Sequence, residues 1–100
     1  MGDGMSEKKI HLKITTPHEV KVDQKADMVI FRSISGDMGV LPGHEATAAV
    51  LADGAVRIFD EGKEKKITVF GGIASVQNSK VSILTSSARW PEDSDNAKTN

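Results

Sequence analysis

Ser35-Gly36-Asp37-Met38-Gly39-Val40-Leu41-Pro42-Gly43-His44 holds three glycines and one proline in ten residues. Glycine takes positive φ freely and proline fixes its own, so Gly36-Asp37 and Pro42-Gly43 both read as turns. Met38 to Leu41 between them is apolar, and long enough only for a very short buried strand. The chain here runs turn, strand, turn, and sets Asp37 and His44 at two tips of a rigid scaffold.

On both sides the sequence alternates. Ile10, Leu12 and Ile14 are interleaved with His11, Lys13 and Thr15, the period-two pattern of a half-buried strand. Thr16-Pro17-His18-Glu19 ends that run, because proline cannot continue a ladder. A second alternation starts at Val20 and Val22 and resumes at Val29 and Phe31; the polar piece Asp23 to Asp27 between them reads as a bend or bulge. Downstream, Ala46 to Leu51 has the helix propensity of its alanines but is closed after six residues by Ala52-Asp53-Gly54, which favours a strand. Val56 and Ile58, a charged tip from Asp60 to Lys66, and Ile67 and Val69 form the clearest hairpin. Gly71-Gly72 marks a bulge, a corner or a close approach of two backbones. Ile73 to Val76 and Val81 to Thr85 are short strands around the turn Gln77-Asn78-Ser79. Turns every ~8–12 residues, with no helical period before residue 86, predict an all-β sandwich or flattened barrel.

One hundred residues make one domain. Residues 10–90 carry the strand pattern, and residues 1–9 form a polar extension. The tail from 91 to 100 has proline and acids suited to a helix start, but no apolar face for a helix to bury. Thirteen basic and fourteen acidic residues leave a net charge of −1, which argues against a nucleic-acid footprint. Without cysteine there is neither a disulfide framework nor a thiolate metal site. No apolar run approaches the ~18 residues of a membrane-spanning helix.

Little in the chain points to chemistry. Asp37 and His44 are the one polar pair on adjacent turns that fits an acid–base unit, although both residue types are commoner as plain turn formers. No Ser/His/Asp or Cys/His set is present. His11, His18 and His44 do not follow a zinc spacing, and Gly36-Asp37-Met38-Gly39 lacks the lysine and helix of a phosphate loop. The sequence thus predicts no catalytic residue, no metal and no cofactor. Met28, Ile30 and Phe70 stand out of phase with the buried set, so they form either an exposed apolar patch or side chains covered at a sandwich corner. Trp90 is expected to fold back onto the sandwich.

Gly-Asp-Met-Gly-Val-Leu-Pro-Gly-His resembles the segment Gly-Glu-hydrophobe-Gly-hydrophobe-x-Pro-Gly-His of the epsilon subunits of F-type ATP synthases (chloroplast epsilon, mitochondrial delta). Four further landmarks follow the same family in order: His11-Leu12-Lys13-Ile14 before Thr16-Pro17, Gly54-Ala55-Val56-Arg57-Ile58, Phe70-Gly71-Gly72-Ile73, and Lys80-Val81-Ser82-Ile83-Leu84. The likeness runs from about Ile10 to Pro91.

The resemblance implies a sandwich of about ten strands at the foot of the central stalk. Such a subunit does no chemistry and helps carry torque between proton- or sodium-driven rotation and ATP synthesis. The family's c-ring-facing loop falls on Ser35, Gly36, Asp37 and Met38. Its gamma-facing positions fall on Thr16, His44, Glu45, Ala46 and Thr47. The implied partners are the gamma subunit and the c-ring, on the cytoplasmic face of the bacterial plasma membrane and attached to it only through the complex. Two departures stand out. Glu45-Ala46-Thr47 replaces the Ala-Pro that commonly follows Pro-Gly-His. The family's C-terminal helical hairpin is absent, with Asp93 to Lys98 only loosely like its start, as in a short form or a truncation. Inhibition and nucleotide binding reside in that hairpin and are not carried over. The alternatives are a free-standing ligand- or protein-binding β-sandwich, which would need more aromatics than one Trp, three Phe and no Tyr, and a small hydrolase on Asp37, His44 and Glu45, which lacks a nucleophile.

Overall fold

A computed structural model of the protein describes residues 9–91. Ten strands follow one another: β1 (Ile10–Thr15), β2 (Val20–Ala26), β3 (Met28–Ser33), β4 (Gly36–Val40), β5 (Thr47–Leu51), β6 (Gly54–Asp60), β7 (Lys63–Val69), β8 (Gly72–Gln77), β9 (Lys80–Leu84) and β10 (Ala88–Arg89). The all-β expectation holds. Where the sequence alternates, burial alternates with it: Ile10, Leu12 and Ile14 of β1 are fully buried and Lys13 between them is exposed.

The strands form two layers. One has the order β10-β7-β6-β3, with β4 on the far edge of β3; the other is β5-β8-β9-β1-β2. β3 joins them. Its first half pairs with β6 (Met28↔Phe59 to Ile30↔Arg57), and its last residue meets β5 (Ser33↔Leu51). The joint is extended by Ile34 N donating to Val50 O (2.9 Å) and Ala52 N to Arg32 O (3.0 Å). At the other side the chain crosses from β2 to β3 at Asp27, whose N–H donates to Phe59 O (2.8 Å). Joined at both sides, the layers make a flattened, nearly closed barrel around one core. Phe31, 1% exposed, is the largest of its fully buried side chains. All strand pairings are antiparallel except one: β1 runs parallel to β9, from His11↔Lys80 to Thr15↔Leu84.

The structure corrects four local readings. The β6–β7 tip is only Glu61-Gly62, with φ of +53° and +76°, the double positive φ of a type I′ hairpin turn. The charged residues expected in that loop are paired strand, from Asp60↔Lys63 to Arg57↔Lys66. β2 runs unbroken through Ala26, because β1 pairs with it out to Ile10↔Ala26. The bend is confined to Asp27, and the bulge lies between Ile14↔Val22 and Thr15↔Val20. Ala88 and Arg89, too short to alternate, form β10 against Val69 and Thr68. Asp37 lies in β4, since the β3–β4 turn is Ile34-Ser35 and the strand begins at Gly36. As expected, Ala46 to Leu51 carries a strand, and Trp90 packs partly buried against the core with Lys65 Nζ 5.7 Å from its ring centroid. The extension and tail expected at the two ends fall mainly on residues 1–8 and 92–100, outside the described residues.

Candidate functional site

The β3–β4 hairpin lies off the main strand order, with β4 paired to β3. Ser33 Oγ donates to Gly36 O (2.7 Å) and accepts from Ser35 N (3.1 Å), which fixes the turn. Its exposed tip is Ile34, 69% exposed, with Ser35 beside it. Asp37 is exposed one step into β4, opposite Arg32, whose Nε lies 3.5 Å from its carboxylate. Met38, opposite Phe31, turns the other way and packs against the core. Of the four residues expected to face a partner as a loop, Ser35, Gly36 and Asp37 are exposed and Met38 is half-buried.

Pro42-Gly43 turns the chain at the other end of β4. His44 N donates to Leu41 O (3.1 Å), and Gly43 N to the Oγ of Ser79 (2.9 Å) in the β8–β9 turn. An extended strand rises about 3.3 Å per residue, so Asp37 and His44 stand at opposite ends of β4 and make no acid–base unit. His44 Nδ1 instead pairs with Glu45 O (2.8 Å). Glu45 and Ala46 are exposed, and Thr47 is the half-buried first residue of β5. Thr16 closes the β1–β2 turn: its Oγ1 accepts from the N–H groups of His18 (3.3 Å) and Glu19 (3.2 Å). The register sets Thr16 and Thr47 at diagonal corners of the β5-β8-β9-β1-β2 layer.

The outer face of that layer lies between those corners, and its composition is graded. Cross-strand register lines up Val50, Ile73, Leu84 and Thr15 in one row, with Val20 next to Thr15 across the bulge. Val50, Ile73 and Leu84 are 52%, 53% and 61% exposed. The next row is Ala48, Ser75, Ser82, Lys13 and Asp23, small residues and then charges. The third is Gln77, Lys80, His11 and Lys25. A shallow depression of about 290 Å³, lined by Ser75, Gln77, Asn78, Lys80 and Ser82, lies in this face.

Of the two readings for Met28, Ile30 and Phe70, an exposed patch or covered side chains, neither holds for all three. Phe70 is exposed, but Met28 and Ile30 are half-buried. On that layer Phe59, paired with Met28, lies under Arg57, whose guanidinium carbon is 5.1 Å from the ring centroid. Arg57 Nε also donates to Glu64 (2.8 Å), which holds the Glu64 carboxyl below its ordinary value. Val50, Ile73 and Leu84 each stand one step out of phase with buried Leu51, Ala74 and Ile83. That offset is visible in sequence, but only the register shows that they line up.

Near the first strand, Lys9 Nζ meets Asp60 (2.5 Å), Glu61 (2.7 Å) and Asp27 (3.3 Å). The hydrogen bond to Asp60, then that to Glu61, raises the Lys9 pKa. The N–H of Glu61 donates to Asp27 Oδ2 (2.9 Å) and, with Lys9, lowers the Asp27 carboxyl. His11 Nε2 contacts Asp23 across the β1–β2 ladder and lowers the Asp23 carboxyl. Among the described residues no group of three or more His, Cys, Asp or Glu side chains is placed to hold a metal ion.

Residues 9–91 match the family described as ATP synthase, Delta/Epsilon chain, beta-sandwich domain. The chain is 39% identical over 88 residues to the ATP synthase epsilon chain of Bacillus subtilis, covering 88% of this chain and 67% of that one. It is 33% identical over 84 residues to the epsilon chain of Caldicellulosiruptor saccharolyticus, covering 84% and 61%. Its fold superposes, at a TM-score of 0.82 and 34% identity, on a chain from the Euglena gracilis mitochondrial ATP synthase solved as OSCP, F1 and c-ring; 91% of this chain and 59% of that one are covered. A chain from the central stalk and c-ring of the Tetrahymena thermophila mitochondrial ATP synthase shares the fold, at a TM-score of 0.72 and 13% identity, over 87% of this chain and 70% of that one. The chain thus spans about three fifths of the length of several of these relatives.

Proposed function

The chain belongs to the ATP synthase delta/epsilon β-sandwich family, and from that premise we propose that it is a non-catalytic rotor subunit at the foot of an F-type central stalk. It couples proton- or sodium-driven rotation of the c-ring to ATP synthesis by binding the gamma subunit on one side and the c-ring at one end. It sits on the cytoplasmic face of the bacterial plasma membrane and reaches the membrane only through the complex.

The observation that carries this reading is the exposed row Val50, Ile73 and Leu84. Aligned apolar side chains on an open sheet face are the usual mark of a partner surface. Burying them against gamma supplies apolar area at roughly 25 cal/mol per Å². Thr16 and His44 to Thr47 flank that face at its two corners. The hairpin end with Ile34, Ser35, Gly36 and Asp37 is the c-ring contact. A flattened barrel joined at both sides transmits torque without shearing its layers, which suits a rotor.

The first test mixes the chain with the gamma subunit of the same organism in size-exclusion chromatography with light scattering. One-to-one co-elution, lost on Ile73→Asp, is the expected result. A chain that stays monomeric at micromolar concentrations, or an Ile73→Asp variant that co-elutes as well as wild type, overturns the reading. For the c-ring contact, Asp37→Arg breaks only an exposed ion pair worth about 0–1 kcal/mol, so the fold survives. Coupling in the reconstituted enzyme should fall, and unchanged coupling removes Asp37 from the contact.

A further inference from the structure

We infer that the partner seated on the β5-β8-β9-β1-β2 face carries carboxylates opposite Lys13, Lys25 and Lys80, so that its docking is charge-oriented as well as apolar. This rests on the gamma-docking reading and adds the chemistry of the partner's surface. Lys80, His11 and Lys25 are consecutive across three neighbouring strands, and Lys13 stands one row away. Neighbouring strands lie about 4.8 Å apart, so Lys80 and Lys25, with His11 between them, stand roughly 10 Å from one another. Three exposed lysines share the face with one carboxylate, Asp23, and that carboxylate is already engaged by His11. Lys25 and Lys80 form no ion pair among the described residues.

Some of the cations elsewhere are paired, although Lys63, Lys65 and Lys66 of β7 form no ion pair among the described residues. Arg57 holds Glu64, Arg32 holds Asp37, and Lys9 holds Asp60 and Glu61. A face on which Lys25 and Lys80 have no ion pair, and Lys13 shares the single carboxylate of Asp23 with His11, fits an acidic partner surface. The depression beside them offers the donors a carboxylate needs: the hydroxyls of Ser75 and Ser82, the amides of Gln77 and Asn78, and the Lys80 ammonium. Ala48, Ser75 and Ser82 are small enough to let a partner backbone come close. The apolar row at one end and the lysines at the other permit one orientation, with apolar side chains over Ile73 and acidic ones over Lys80.

Surface charge acts mainly on the association rate and its salt dependence. Stopped-flow association with the gamma subunit should therefore be followed from low to high salt for wild type, the Lys13→Glu/Lys80→Glu double variant, the single Lys80→Gln and Ile73→Asp. All three sites are exposed, and thermal melts verify folding. The double variant should associate about tenfold more slowly at low salt and converge on wild type at high salt, with Lys80→Gln between them. If Ile73→Asp abolishes binding while both lysine variants match wild type at every salt concentration, the acidic-partner inference fails and the docking face stands. If Ile73→Asp binds normally, the docking face fails and takes the inference with it.

Discussion

Gly72 is the residue at which the backbone leaves least room. A Cβ built there meets the carbonyl oxygen of Leu84 at 2.1 Å, and its φ of +125° is one that side-chain-bearing residues rarely adopt. Gly72→Ala is therefore expected to destabilise the fold by roughly 3 kcal/mol, from overpacking and backbone strain together, read as a fall in the urea midpoint with an unchanged slope. This site is legible in the sequence, because two adjacent glycines interrupt an alternating run with positions that have no side chain to pack. Asp37 is less legible. A Gly-Asp pair reads as a turn, but Ser33 uses its hydroxyl to close the turn one residue pair earlier, which leaves Asp37 in a ladder facing Arg32. Ile34 escapes sequence reading for the same reason. An apolar residue at a hairpin tip contradicts the rule that turns are polar, and nothing local announces it.

The hairpins carry the element-scale lesson. Both β6–β7 and β8–β9 close with two residues at positive φ, Glu61-Gly62 and Asn78-Ser79, the turn whose twist matches that of the flanking strands. Ser79 is the unusual choice. Its φ of +58° would suit glycine, yet its Oγ accepts the N–H of Gly43 and the residue is 7% exposed. Ser79→Gly relieves a strain of ~0.5–1 kcal/mol but leaves the part-buried N–H of Gly43 without its acceptor, at about 1–3 kcal/mol. The hydrogen bond wins, and the variant should be roughly 1 kcal/mol less stable by chemical denaturation. An equal or higher stability would show that the Gly43 contact contributes nothing. Alternation identifies nearly every strand but misjudges the lengths of β2 and β7. Their polar halves are held by cross-strand pairing, and periodicity records burial rather than pairing. β10 has only two residues and its position depends on β7, so nothing in its own sequence could reveal it.

For the whole molecule, Asp23, Asp27 and Glu64 are all held below their ordinary carboxyl values. A group with a depressed folded pKa takes its proton first in the unfolded state, so its stabilisation is complete at neutral pH and drains away as pH falls through the ordinary carboxylate range. Lys9 shifts upward, so its share is intact across that window and is lost only at strongly alkaline pH. The urea midpoint should thus decline below about pH 4, and Asp27→Asn should make that decline shallower; an identical acid limb in the variant would remove Asp27 from the effect. The fold class is readable from turn spacing alone. The exposed face is not, because Val50, Ile73 and Leu84 come from three strands that only the register aligns. The parallel ladder between β1 and β9 also governs how the chain is born. Of these ten strands, the first to be made needs the ninth as its neighbour, and pairings so distant in sequence form slowly. Until β9 emerges, β1 has only β2 beside it, and Ile10, Leu12 and Ile14 lack the cover of the finished core. Until then the nascent chain carries an apolar strand face without its cover, and the core of residues 9–91 closes only after β9 has been made.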